Sequence, residues 1–285
     1  MININKENYN IKFSVLMSVY KGENPLYLKE ALKSVLNQTL LPSEIVIVID
    51  GKLTPELDFV LKQVKSKNGE LIKLLPFDNN RGLGRALHDG VLACNYDYIF
   101  RMDTDDIAEK DRFEKQINFL QDNKDISICG TWIKEFSKSP EMPDSTTKLP
   151  CSNEDIISFA KSRNPFRHMT VLLKKEDVIK AGNYRDFLWF EDYDLWVRMI
   201  LSGCKTANLP EYLVKVRADS KMFARRGGVK YLKQDIKFQN FLYRSNFIGF
   251  SRFIMNILIR TLIRIVPNGM RIYFYENFLR KRVKN

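Results

Sequence analysis

Short apolar runs alternate with segments of helical spacing through the first hundred positions. Phe13–Val19 (FSVLMSV) is a continuous apolar, β-branched run of the kind a strand buried on both faces carries. Leu26–Asn37 follows with Leu28, Ala31, Leu32, Val35 and Leu36 at helical spacing. Glu44–Ile49 (EIVIVI) predicts a second buried strand, ending at Asp50-Gly51. Pro55–Lys67 predicts a helix with Thr54 as N-cap and proline in its first position. Leu71–Leu75 predicts a third strand, Arg81–Ala93 a helix and Tyr98–Met102 a fourth strand.

This alternation points to an α/β protein, a mostly parallel sheet with helices on both faces. Such sheets bind ligands beyond the carboxyl ends of their strands. Tyr20, Lys21 and Glu23 follow the first strand, Asp50 the second, and Asp103-Thr104-Asp105-Asp106 the fourth. The second half is less regular. Strands are expected at Ile126–Phe136, Thr170–Lys174 and Tyr212–Arg217, with a loop over Ser137–Ser152. Helices are expected at Lys175–Ala181, ended by Gly182, and at Glu191–Ser202, ended by Gly203. From Gly228 onward the pattern is helical, with breaks near Gly249 and Pro267.

Charge changes the picture more than composition does. The 285 residues are 45% hydrophobic and 28% charged, ordinary globular chemistry, with a net charge of +12. That excess belongs to one end: residues 221–285 hold fifteen Lys/Arg against two acids, Asp235 and Glu276, a net of +13. Residues 1–220 are close to neutral at −1. A near-neutral catalytic region with a basic attachment fits this better than a nucleic-acid reader that is basic throughout. Cys94, Cys129, Cys151 and Cys204 form no Cys-x-x-Cys pair, and with His88 and His168 the only histidines a zinc site is not expected. Met1–Lys12 is polar and lacks the apolar core of a secretory leader, and no stretch reaches the ~18 apolar residues of a spanning helix. A cytoplasmic location is the expectation.

Three segments carry candidate chemistry. Asp103, Asp105 and Asp106 put three carboxylates in four positions, a repulsion that a divalent cation bridging to phosphate would relieve; solvated helix-capping acids are the plainer reading. Asn80-Arg81-Gly82-Leu83-Gly84-Arg85 opens a helix whose N-terminus suits phosphate, with Arg85 near a nucleotide or simply solvated. Glu191-Asp192-Tyr193-Asp194 puts acids at a helix start, where they suit the macrodipole and where one could serve as a general base. His168, Trp189 and Trp196 are candidates for substrate contact, against ordinary packing.

The tail repeats its polar positions at Arg252, Asn256, Arg260 and Arg264, with apolar residues filling the rest of Ser251–Val266. The stripe predicts a helix lying in a membrane interface with its arginines toward anionic headgroups. Beyond Pro267, Tyr273, Phe274, Tyr275 and Arg280-Lys281-Arg282 continue the aromatic and basic mix.

Together, Phe13–Tyr20, Asp50-Gly51, Asn80–Gly90, Arg101–Asp106 with Arg112-Phe113, and Phe190-Glu191-Asp192 with Leu195-Trp196 and Arg198 resemble glycosyltransferase family 2. These are inverting, nucleotide-sugar-dependent enzymes of the GT-A fold. The resemblance implies a GT-A catalytic domain over 1–220, its nucleotide-sugar half at about 13–106 and its acceptor half at about 107–220, followed by a membrane-associating tail over 221–285. It implies that Tyr20, Glu23 and Asp50, joined by Arg85, hold the nucleotide. Asp103 would lie near the ribose, Asp105 would bind Mg²⁺ or Mn²⁺ on the diphosphate, and Asp192 would be the general base. Glu191, His168 and Trp196 are candidate acceptor or donor contacts.

The Leu53–Leu57 segment and the basic tail are similar to bacterial members that build O-antigen or exopolysaccharide, which implies a lipid-linked saccharide acceptor and a UDP-sugar donor. His88 stands where the family usually has Asn, and Asp50-Gly51 lacks a common second Asp and Ser. The absence of Gln-x-x-Arg-Trp implies addition of a single sugar. A haloacid-dehalogenase-like phosphatase, suggested by Asp103-x-Asp105, and a basic membrane or nucleic-acid adaptor are the alternatives.

Overall fold

The computed structural model describes residues 11–218, 228–265 and 281–282. β1 (Phe13–Val19), β2 (Glu44–Ile49), β3 (Ile72–Pro76) and β4 (Tyr98–Arg101) pair in parallel in the order β3-β2-β1-β4. Their connections are α1 (Pro25–Leu36), α2 (Pro55–Asn68) and α3 (Leu83–Ala93). Asn24 and Thr54 cap the first two, each side chain accepting a backbone N–H, and each helix opens on proline. Side chains alternate across this half of the sheet. Val15, Met17 and Val19 meet Leu28 and Leu32 of α1 on one face, while Leu16, Val46 and Val48 meet Leu87 and Val91 of α3 on the other.

Beyond β4 the sheet is mixed rather than mostly parallel. β8 (Leu172–Lys174) runs antiparallel between β4 and the long β6 (Ile126–Phe136). β9 (Lys205–Arg217) pairs in parallel with β6 and also receives the short β5 (Ile107–Ala108). The loop expected over Ser137–Ser152 contains β7 (Ser145–Thr147), which pairs with β6 and with β10 (Lys281–Arg282). The last long strand starts at Lys205, not Tyr212. Pro210 and Glu211 fall in a bulge where the register jumps from Thr131↔Leu209 to Trp132↔Tyr212, so the proline breaks the apparent pattern without ending the strand.

α4 (Arg112–Asp122), α5 (Asn153–Ala160), α6 (Lys175–Lys180) and α7 (Glu191–Leu201) cover the second half. All four cysteines are free thiols.

α8 (Gly228–Arg244) and α9 (Phe250–Ile265) form a helical hairpin. α8 joins the body through a third apolar cluster, in which Phe238, Leu242 and Ile248 meet Phe190, Tyr193 and Val197 of the α7 region. Two positions of the α9 polar stripe, Asn256 and Arg260, face inward, while Arg252 is exposed. Asn256 Nδ2 donates to Lys161 O at 2.9 Å and to Gln239 Oε1 at 2.8 Å, and Arg260 pairs with the buried Asp235 at 2.6 Å. This corrects the expectation of an outward stripe at these two positions: Arg260 finds a carboxylate and a carbonyl inside. The positions beyond Pro267 lie outside the described residues up to β10. Among the described residues no helix is long and apolar enough to cross a membrane.

Candidate active site

Parallel pairing brings the carboxyl ends of β1, β2 and β4 to one edge, and with them Tyr20, Glu23, Asp50 and the Asp103–Asp106 segment. Asp50 is buried at the end of β2, where its carboxylate accepts from Arg81 N at 2.7 Å and Gly82 N at 3.0 Å. It therefore fixes the loop that starts α3. Gly51 takes φ +86°, and a Cβ there would lie 2.6 Å from Asn80 N, so the tight junction of these loops requires glycine. Tyr20 is 39% exposed, and its ring leans over Gly22, where a Cβ would lie 2.5 Å from ring carbon.

Asp103, Asp105 and Asp106 can each bring a carboxylate oxygen within 4.8 Å of the others. Their charge is poorly compensated. Burial and the neighbouring Asp103 push Asp105 up to about 6, and burial drives the Asp106 carboxyl well above the usual carboxylate range. Glu23 faces the same cluster: burial, with Asp105 and Asp103 adding to it, pushes its carboxyl up to about 7. Asp106 Oδ1 accepts from Arg217 N at 2.9 Å, while its buried Oδ2 has no protein partner. Crowded oxygens, raised acids and an orphaned buried oxygen suit a divalent cation with hard oxygen ligands.

Three arginines organise this corner. Arg101 is 2% exposed, and its Nη1 lies 2.5 Å from Asp103 Oδ1. Arg217, at the end of β9, donates from Nε to Asp105 O at 3.3 Å, pairs with Glu30 at 2.6 Å and lies 3.7 Å over the Tyr27 ring. Arg112 is wholly buried and donates to Arg101 O at 3.0 Å, which holds the end of β4. Burial lowers its guanidinium to about 9.

The second acidic pair opens α7. Asp192 Oδ1 accepts from Tyr193 N at 2.6 Å and Oδ2 from Asn164 Nδ2 at 2.7 Å. Burial, reinforced by Asp192, pushes Glu191 up to about 7. The charge of the buried Arg101 favours the ionised form of Glu191 as well as that of the aspartate cluster, so the two acidic groups share one cation. The start of α3 closes on the same place. A Cβ on Gly84 would lie 2.3 Å from Arg185 O and 3.3 Å from Glu191 Cβ. Arg85, largely exposed, pairs with Asp186 at 3.1 Å.

Two expected contacts fall away. Trp196 is completely buried against Phe166 and His168, so its ring serves the core and cannot stack on a ligand. His168 is also buried; its Nε2 and the Tyr184 hydroxyl are 2.9 Å apart, and burial holds it neutral, well below the usual histidine range. Trp189 instead is partly exposed, takes φ +68° and stacks on Tyr231 at 5.0 Å. The sequence reading missed Asn164 and Arg217 as parts of the site. Neither lies in an acid-rich run, and their roles arise only when distant strands and loops meet.

Comparison with known proteins agrees with this geometry. Residues 14–181 match the model of "Glycosyl transferase family 2". The chain is 37% identical over 270 residues to the UDP-Gal:alpha-D-GlcNAc-diphosphoundecaprenol beta-1,3-galactosyltransferase of Escherichia coli, covering 95% of this chain and 97% of that one. It is 39% identical over 266 residues to the amylovoran biosynthesis glycosyltransferase AmsE of Erwinia amylovora, covering 93% and 98%. Among solved structures, the mannosyltransferase PcManGT of Pyrobaculum calidifontis with GDP-Man and Mn²⁺ superposes with a TM-score of 0.63 at 14% identity, over 93% of this chain and 73% of that one. S. aureus TarS 1–349 superposes with a TM-score of 0.60 at 17% identity, over 90% and 81%. These two likenesses bear on fold alone. Family membership sets aside the phosphatase and adaptor alternatives. An α/β body that carries acids at three strand ends, matched by its own sequence over most of its length, is a glycosyltransferase, and the chain belongs to glycosyltransferase family 2.

Proposed function

We propose that this enzyme is a GT-A-type inverting hexosyltransferase. It moves one hexose or N-acetylhexosamine from a nucleotide sugar, in the first place a UDP-sugar, to a lipid-linked saccharide during assembly of a bacterial surface polysaccharide. The reading includes a polyprenyl diphosphate carrier and a peripheral position on the cytoplasmic face of the membrane. The named activity of the Escherichia coli relative supports this donor and acceptor class. The observation that carries the reading is the three-aspartate cluster with its orphaned Asp106 Oδ2, which shares the charge of Arg101 with Glu191.

The residues divide the work. Tyr20, Glu23, Asp50 and Arg85 would hold the nucleotide, with Asp103 near the ribose. Asp105, with Asp106 beside it, would hold Mg²⁺ or Mn²⁺, which when bound supplies positive charge to the departing nucleoside diphosphate. Asp192 takes the proton of an acceptor hydroxyl, a contribution of ~10²–10⁴-fold. The hydroxyl oxygen then bonds to the anomeric carbon from the face opposite the diphosphate. The carbon–oxygen bond to the diphosphate breaks, its electron pair leaves with that group, and the anomeric centre inverts.

Asn164 and Tyr193 N fix the carboxylate for that proton transfer. The test is a panel of UDP-, GDP- and dTDP-sugars with a diphosphate-lipid acceptor, with and without Mn²⁺, followed by NMR of the product linkage. An inverted, singly extended product formed only with the cation is expected. Retention of configuration, or undiminished turnover after chelation, overturns the reading.

A further inference from the structure

Helix α9 presents to solvent the side that a surface helix ordinarily buries. Its inward positions are polar: Asn256 is 5% exposed, and Arg260 is clamped between Asp235 and Ser162 O at 2.6 and 2.7 Å. Apart from Ser251 and Arg252 in its first turn, its exposed positions are apolar. Phe250, Ile254, Met255, Leu258, Ile259 and Leu262 are each 40–69% exposed. At 3.6 residues per turn these six share one half of the helix. A continuous apolar face of this kind on a water-exposed surface marks a contact site.

Charge and residue type identify the occupant. Where α8 turns into α9, Tyr243 touches Phe250 at 6.0 Å and stacks on Phe253 at 5.2 Å, and Arg244 and Arg252 are exposed beside them. Aromatic rings with flanking arginines suit the headgroup layer. Asp235, the acid within these two helices, is buried and already paired. A second copy docking here would set arginines against arginines with no exposed acid of either helix to answer them. The wider segment 221–285 carries +13, which favours an anionic surface.

We propose that α9 docks the enzyme on an anionic lipid surface by laying its apolar face into the bilayer interface, the Arg260–Asp235 pair holding the helix to the protein body. The proposal deepens the reading above, on which it rests for the benefit of such docking: a lipid-linked acceptor stays at that surface.

The full-length protein is floated with vesicles of phosphatidylcholine, and of phosphatidylcholine mixed with phosphatidylglycerol, at low and high salt. Flotation is expected with the anionic vesicles, weakened but not abolished by salt. The double variant Ile254→Asp/Leu258→Asp should lose roughly tenfold or more of the bound fraction, with circular dichroism and transfer to a water-soluble acceptor unchanged. Should the aspartates impair folding, Leu258→Gln/Leu262→Gln reads the same effect without added charge. Wild-type protein that does not float, or variants that float as well as wild type, overturn the proposal. So does light scattering that finds a dimer which the variants split, because the occupant is then a second copy. Flotation lost in the variants supports docking whether or not any sugar is transferred, so an absent transferase activity counts against the enzymatic reading alone.

Discussion

Asn164 donates from Nδ2 to Oδ2 of Asp192 at 2.7 Å, joining the loop after α5 to the first turn of α7. The bond is charge-assisted and fixes one oxygen of the proposed base, leaving its direction set before a substrate arrives. Asn164→Ala should lower kcat by roughly tenfold while KM for the donor changes little. A parallel rise in KM and fall in melting temperature, with kcat intact, would make Asn164 structural only. Steady-state kinetics beside thermal denaturation separate the two.

Asp105→Asn should have opposite effects on stability and activity. The native carboxyl is pushed up to about 6, so the metal-free protein bears the cost of its charge at neutral pH. The neutral variant should be more stable than wild type in chelator, by about 1 kcal/mol, and should show no melting-point rise with Mn²⁺. Its turnover should fall by at least roughly a hundredfold. A Mn²⁺-induced shift as large as that of wild type would remove Asp105 from the metal site.

The metal-free protein should lose stability as pH rises from about 4 to about 7. Glu23 and Glu191 stand at about 7 and Asp105 at about 6, all above their ordinary values. The folded state therefore binds more protons than the unfolded chain in this window, and stability falls with increasing pH. It is greatest below the unfolded values and is lost as pH passes through the folded ones. Melting temperatures in chelator should be higher near pH 5 than near pH 8, and Mn²⁺ should reverse the loss at the higher pH. A flat profile would mean that these carboxylates are already compensated.

Gly84→Ala should destabilise the protein although alanine is the better helix former. The new methyl would lie 2.3 Å from Arg185 O, a backbone atom that cannot move without disturbing the approach to Glu191. A loss of about 2 kcal/mol or more, together with weaker nucleotide binding, is expected; in open space the exchange would gain up to ~1 kcal/mol. Chemical denaturation and nucleotide titration check both parts.

Arg217→Lys should weaken metal binding without unfolding the chain. Arginine at this position reaches Glu30, the Tyr27 face and Asp105 O together, and lysine cannot reproduce the planar fork. The Mn²⁺ concentration for half-maximal turnover should rise roughly three- to tenfold. An unchanged Mn²⁺ dependence would limit Arg217 to supporting β9.

The first half of this protein is legible because its strands are short, mainly apolar runs and its first two helices open on a cap and a proline. Asp50 and Asp103–Asp106 follow from that reading, since strand ends in a parallel sheet share an edge. The second half resists because its strands are assembled from pieces. β7 hides among Ser and Thr, Pro210 disguises the middle of β9, and α4 puts charged residues before its buried Phe113 and Ile117. Trp196 and His168 mislead in another way: both are chemically suited to a sugar, and only depth, which a linear pattern does not record, removes them. The arginines of α9 repeat every four residues as a solvent stripe would, yet the partner of Arg260 is a buried aspartate one helix away.

Beside the contacts that Asn256 and Arg260 of α9 make with Lys161 O and Ser162 O, Phe238 ties α8 to the start of α7. Its ring meets Tyr193 at 4.5 Å and Phe190 at 5.0 Å, at the very start of the helix bearing Asp192, and α8 carries α9 on its other side. The orientation in which α9 comes to rest is thus inherited by the cleft, as a hull takes its attitude from its keel.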